Sequence, residues 1–144
     1  MTATPCVFCD IVRGDAPSSM VYADEVVMAF MDIQPVNPGH LLVVPRTHAA
    51  YLGELDPETG GRMFQVGMML AEAVRCSGVR CEGVNLFLAD GEAAGQEVFH
   101  VHLHIIPRSY GDGFGFRFAP DYFDLPDRST LDEVAHRIQQ VLEG

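Results

Sequence analysis

From His100 to Ile105 the chain alternates histidine with an aliphatic residue, His100-Val101-His102-Leu103-His104-Ile105. In an extended strand alternate side chains share a face about 6.6 Å apart, so the run predicts three imidazoles on one side and Val101, Leu103 and Ile105 toward a core. A helix would scatter both sets. Pro107 predicts the end of the strand, because proline has no ladder donor. Three chemical readings fit such a face: a solvated polar edge, an open zinc or non-haem iron site held by the three rings, or a neutral imidazole attacking phosphorus to form a covalent intermediate. The periodicity alone does not choose between the last two.

The rest of the chain supplies a sheet around this strand. Val26 to Met31 and Leu41 to Val44 are apolar runs too short for helices, and the proline-rich segment 34–39 between them is turn chemistry, so the two can pair. Asp56-Pro57 predicts a helix start, and Met63, Val66, Gly67, Leu70 and Val74 recur at helical spacing up to Gly78. Val84 to Leu88 and Val101 to Ile106 predict a hairpin across a flexible loop at 89–96. Residues 109–126 have no clear period and predict a long ordered loop. Ser129 to Asp132 resembles a capping box opening a C-terminal helix with the apolar stripe Leu131, Val134, Ile138, Val141 and Leu142. These elements predict an α+β antiparallel architecture in a single domain over residues 1–144.

Charge and cysteine usage narrow the function classes. A net charge of -11 repels a polyanion, which argues against a nucleic-acid partner, whereas a small phosphate ligand needs only a local patch. All nine basic residues are arginine, so neither a Schiff base nor a P-loop lysine is available. No apolar run is long enough for a bilayer, and the start lacks the pattern of a signal peptide, so a cytoplasmic address without membrane attachment is expected. Cys6-Val7-Phe8-Cys9 has the spacing of half a tetrahedral zinc site, whereas Cys76 and Cys81 read as buried or idle thiols.

The stretch Gly95-Gln96-Glu97-Val98-Phe99-His100-Val101-His102-Leu103-His104-Ile105-Ile106-Pro107-Arg108 resembles the signature of the histidine triad (HIT) family. The likeness extends to Cys6 through Ile11, to Phe30 through Pro35 and to Pro38 through His48, in the family's order, and is strongest with its Hint-like bacterial branch. It implies a five-stranded antiparallel sheet with a main central helix and a C-terminal helix. It also implies a homodimeric hydrolase or transferase that cleaves a phosphoramidate or phosphoanhydride bond at the α-phosphate of a purine nucleotide, without a catalytic metal. A nucleotide-binding scaffold that keeps the fold without catalysis is the alternative.

By the same resemblance His102 is the nucleophile, and His104 and His40 flank the phosphate. Gln96 contacts the phosphate or leaving group, Asp32 beside Ile33 meets the ribose hydroxyls, and Phe8, Ile11 and Ile33 are candidates to sandwich a purine, with Phe30 read as core. Cys6, Cys9, His48 and His100 would hold a structural zinc. The chain departs from the family at Ala89, where asparagine is frequent and Asp90 is the neighbouring substitute. It departs again at Glu97, a leaving-group position that is serine in animal Hint proteins, and a carboxylate donates no hydrogen bond unless protonated.

Overall fold

Val27–Met31 (β2) and Leu41–Pro45 (β3) lie in full antiparallel register, Val27 opposite Pro45 through Met31 opposite Leu41. Their unbroken apolar character fits strands covered on both faces. The computed structural model describes residues 5–144 and divides into two compact units, one ending at Gly113 and the other Phe114–Gly144.

In the first unit Met20–Ala23 (β1), Gly83–Phe87 (β4) and Leu103–Arg108 (β5) complete a five-stranded antiparallel sheet of order β1-β2-β3-β5-β4. The expected pairing of the two apolar runs and the β4/β5 hairpin are both present. One face carries Val27, Ala29, Leu41, Val43, Leu103 and Ile105 against Met63, Val66, Leu70 and Val74 of the helix Pro57–Cys76 (α2). Asp56 caps α2 and Pro57 opens it, as their residue types predict. Helix and strand approach so closely that a Cβ at Gly67 would stand 2.9 Å from Leu103 Cδ2.

The opposite face is covered by a second apolar cluster. Met28, Phe30, Leu42 and Val44 pack on Phe8 and Ile11 of the short helix Val7–Arg13 (α1), which the sequence did not signal. β1 was also unforeseen, being short, largely exposed and broken by a register shift between Met20 and Tyr22.

Two strand expectations need correction. Pro107 does not end β5; it lies within the strand opposite Val84. The Pro107 carbonyl accepts from the Asn37 side chain on the β3 side, where β3 has already ended, so the missing N–H costs no ladder bond with β4. At its other end β5 begins at Leu103, so His100, Val101 and His102 precede the paired ladder. They are held instead by the Val101 N–H donating to the Ala49 carbonyl at 2.8 Å. The inward side of the alternation still holds, since Val101, Leu103 and Ile105 all join the core against α2.

The second unit contains a short turn of helix at Pro120–Phe123 inside the segment expected to be loop, and the helix Arg128–Glu143 (α3). α3 starts after Asp127 and ahead of the expected capping box.

Candidate active site and metal centre

The tight turn that opens α1 brings two thiols together. Cys6 is the N-cap, and its Sγ accepts the Cys9 N–H at 3.4 Å. Opposite them stand His48, just after β3, and fully buried His100. His100 Nδ1 lies 3.4 Å from Cys6 Sγ, 3.5 Å from Cys9 Sγ and 3.2 Å from His48 Nδ1, and Cys9 Sγ lies 3.3 Å from His48 Nδ1.

Such spacings are close to the edges of a tetrahedron of two sulfurs and two nitrogens about a zinc ion, roughly 3.3–3.8 Å for its usual bond lengths. The outer nitrogen of His100 meets the Pro45 carbonyl at 2.8 Å and donates to it, which turns the Nδ1 lone pair inward toward the cluster. Burial, with Cys6 beside it, pushes the Cys9 thiol up to about 11. Two thiolates there call for a cation, so the four residues named from the sequence suit a structural zinc.

The second cluster is ordered by hydrogen bonds of the opposite polarity. The Val36 N–H donates to His40 Nδ1 at 3.0 Å, so the His40 proton sits on Nε2. That nitrogen faces His104 Nδ1 at 2.9 Å and Asp32 Oδ2 at 3.4 Å. His104 Nδ1 therefore accepts, and its own proton is left on Nε2. Asp32, His40 and His104, like the four residues around His100, keep their ligand atoms within 4.8 Å of one another. With a proton directed into the gap, this group is a hydrogen-bond relay and not a metal cage.

His102 joins the two clusters. Its Nδ1 lies 2.8 Å from the His100 carbonyl oxygen, which accepts only from Nδ1–H and so leaves the Nε2 lone pair free. Its ring lies 4.8 Å from that of His104 and meets Phe8 edge-on at 5.1 Å. Burial lowers the proton affinity of His40, His100, His102 and His104, and for His104, with His102 and His40 alongside, down to about 4. Neutral rings at physiological pH follow, as nucleophilic attack by an imidazole requires.

The remaining sequence candidates divide. Asp32 stands beside the relay with Oδ1 accepting the Gln34 N–H at 2.8 Å, and Ile33 next to it is fully exposed. Phe8 and Ile11 lie in the core with Phe30 and present little surface to a base. Gln96 is buried, and both its donors are committed, to Ala50 O at 2.7 Å and Val98 O at 3.1 Å, while its oxygen accepts from Gly91 N–H. It clamps the loop and has no donor left for a phosphate. Glu97 lines a cleft of about 420 Å³ beside Cys6 and His48. Ala89 is buried, and Asp90 accepts the Leu52 N–H at 2.9 Å, which fixes the loop after β3. The roles of the Val36 N–H and the His100 carbonyl are not legible in the sequence, because backbone groups carry no residue signature.

The HIT domain family model matches residues 13–111. The chain is 46% identical over 140 residues to Protein hit of Bacillus subtilis, covering 94% of this chain and 96% of that one. It is 37% identical over 108 residues to Adenylylsulfatase HINT3 of Arabidopsis thaliana, covering 74% of this chain and 54% of that one. Its fold matches a crystal structure of a Zn-bound histidine triad family protein from Mycobacterium smegmatis with a TM-score of 0.74 and 47% identity, over 83% of this chain and 86% of that one.

Proposed function

This chain belongs to the histidine triad family, and from that premise we propose that it cleaves a phosphoramidate or phosphoanhydride bond at the α-phosphate of a purine nucleotide through a nucleotidyl-histidine on His102. The observation that carries the proposal is the 2.8 Å bond from His102 Nδ1 to the His100 carbonyl, which leaves a neutral ring with its Nε2 lone pair unused. In the first half-reaction Nε2 bonds to phosphorus and the bond to the leaving group breaks. His104 Nε2–H, at the end of the Val36–His40–His104 chain, donates to a phosphate oxygen or to the departing atom. In the second, water bonds to phosphorus, the bond from phosphorus to His102 Nε2 breaks, and the water proton passes to His104, replacing the one given to the leaving group, or to solvent.

Asp32 and the exposed Ile33 are the proposed ribose and base contacts. Gln96 serves by shaping the loop ahead of the triad, and Glu97 borders the metal side of the site. The relative from Arabidopsis thaliana, an adenylylsulfatase by name, supports an adenylyl compound as the substrate. A structural zinc on Cys6, Cys9, His48 and His100 belongs to the proposal, and the Zn-bound relative supports it. Zinc would cross-link α1 to the β3 and β5 segments; the bond-making steps need no metal.

A homodimer fits the exposed Phe64, Met68 and Met69 on the outer face of α2 together with β4 at the sheet edge. We assign residues 1–144 to one domain, because the second unit has no buried residue and so no core of its own. No helix among the described residues is long and apolar enough to cross a membrane. The thiol-based metal set suits a reducing, cytoplasmic setting, and the net charge of -11 disfavours nucleic acid as a partner.

The test is turnover of adenosine and guanosine phosphoramidates, dinucleoside polyphosphates and adenylyl sulfate by the parent and by His102→Ala. Turnover by the parent, abolished in a folded His102→Ala, is the expected result. A parent that binds nucleotide and turns over none of them would establish the scaffold reading instead.

A further inference from the structure

The segment that supplies both sulfurs of the Cys/His cluster also packs on the proposed nucleophile. Between Cys6 and Cys9, Phe8 sets its ring edge-on to His102 at 5.1 Å and to His100 at 5.8 Å. On its other side His102 is held by the His100 carbonyl at 2.8 Å. The His100 ring is itself fixed between the Pro45 carbonyl and the two sulfurs. Both contacts that aim the His102 lone pair are therefore anchored in the Cys/His cluster.

Aim matters in this chemistry, since a misplacement of about 1 Å at a reacting atom costs on the order of a hundredfold in rate. We infer that the cluster of Cys6, Cys9, His48 and His100 is a positioning device for His102, acting through the Phe8 ring and the His100 carbonyl. Phe8, Cys6, Cys9 and His48 are then positioning residues for attack on phosphorus as well as staples of the fold. The inference rests on the nucleotidyl-transfer reading, but it specifies a state of the His102 ring that exists without turnover.

The test uses the full chain labelled with ¹⁵N-histidine, as zinc-loaded parent, chelator-treated parent and zinc-loaded Phe8→Leu, all at one fixed pH. Three properties are measured: the His102 ring nitrogen shifts, the affinity for adenosine monophosphate, and the rate of adduct formation from adenosine phosphoramidate. The zinc-loaded parent is expected to show a single Nδ1–H tautomer. Phe8→Leu is expected to keep its zinc, and its nucleotide affinity to within about threefold, while its His102 ring shifts move away from the parent's and adduct formation falls by about ten- to a hundredfold. Chelation is expected to do the same.

Parent-like ring shifts and parent-like adduct rates in either preparation would overturn the inference. So would a Phe8→Leu protein without zinc, because Phe8 would then be part of the metal's support and not a separate link. If chelation unfolds the chain, Phe8→Leu decides alone. If even the parent forms no adduct, the functional reading fails, and the ring shifts still decide the positioning.

Discussion

His102 Nδ1 is bonded to the carbonyl oxygen of His100 at 2.8 Å, so the backbone of one triad histidine sets the proton position on the next. His100 thereby has two separate duties. Its ring faces the sulfurs, and its main chain faces the proposed nucleophile.

The proposed relay gives a first prediction. Replacing His40 with alanine leaves the half-buried Val36 N–H and His104 Nδ1 unpaired. Denaturant unfolding is expected to show a loss of about 1–3 kcal/mol, and turnover of an adenosine phosphoramidate a loss of at least tenfold. Parent-like turnover would remove His40 from the mechanism.

The metal set gives a second. The purified protein is expected to hold one zinc per chain, lost on Cys9→Ser or His48→Ala and retained on His104→Ala, as measured by elemental analysis. Zinc that leaves with His104→Ala would place the metal in the relay and contradict the proton order inferred there.

Acid stability follows from the lowered imidazoles. In the unfolded chain a histidine takes up a proton near pH 6.5, whereas folded His104 resists until about 4. Between those values the unfolded state binds more protons, so stability falls as pH drops from about 6.5 toward 4. His40, His100 and His102 act in the same direction. His104→Asn is expected to flatten the decline in a melting series across that window; an unchanged slope would count against burial as its cause.

A fourth prediction concerns the fold away from the site. Arg62 on α2 donates to Asp24 Oδ2 at 2.9 Å and to Tyr22 OH at 2.9 Å, while Asp24 Oδ1 caps the β1–β2 turn through the Val26 and Val27 N–H groups. These bonds hold the Asp24 carboxyl well below the usual carboxylate range against the pull of burial. Asp24→Ala is expected to lower stability by about 1–3 kcal/mol in denaturant unfolding. A change under 0.5 kcal/mol would show the network to be ornamental.

Side-chain identity made the centre of the molecule legible, and backbone detail stayed hidden. The apolar runs at β2 and β3, the Asp56-Pro57 helix start and the inward set Val101, Leu103 and Ile105 follow from period and capping alone. Helix α1 was not foreseen, because a helix of seven residues offers too little periodicity. Pro107 misled because its cost depends on which neighbour lies on its N–H side, a property of topology and not of residue type. Gln96 was expected at the phosphate on residue type, yet an amide serves equally well as a loop clamp, and its partners were backbone groups. Of the four proposed metal ligands, the Cys6/Cys9 pair was legible from spacing, His48 and His100 were added by the family resemblance, and the fold brings all four together.

The central claim is that His102 Nε2 bonds covalently to phosphorus. The direct measurement is intact-protein and peptide mass spectrometry after rapid acid-free quenching of the parent with adenosine phosphoramidate. A nucleotidyl group on the peptide containing His102, absent in His102→Ala, is the predicted result. An adduct on another residue, or turnover with no adduct under conditions where hydrolysis is slowed, would contradict it.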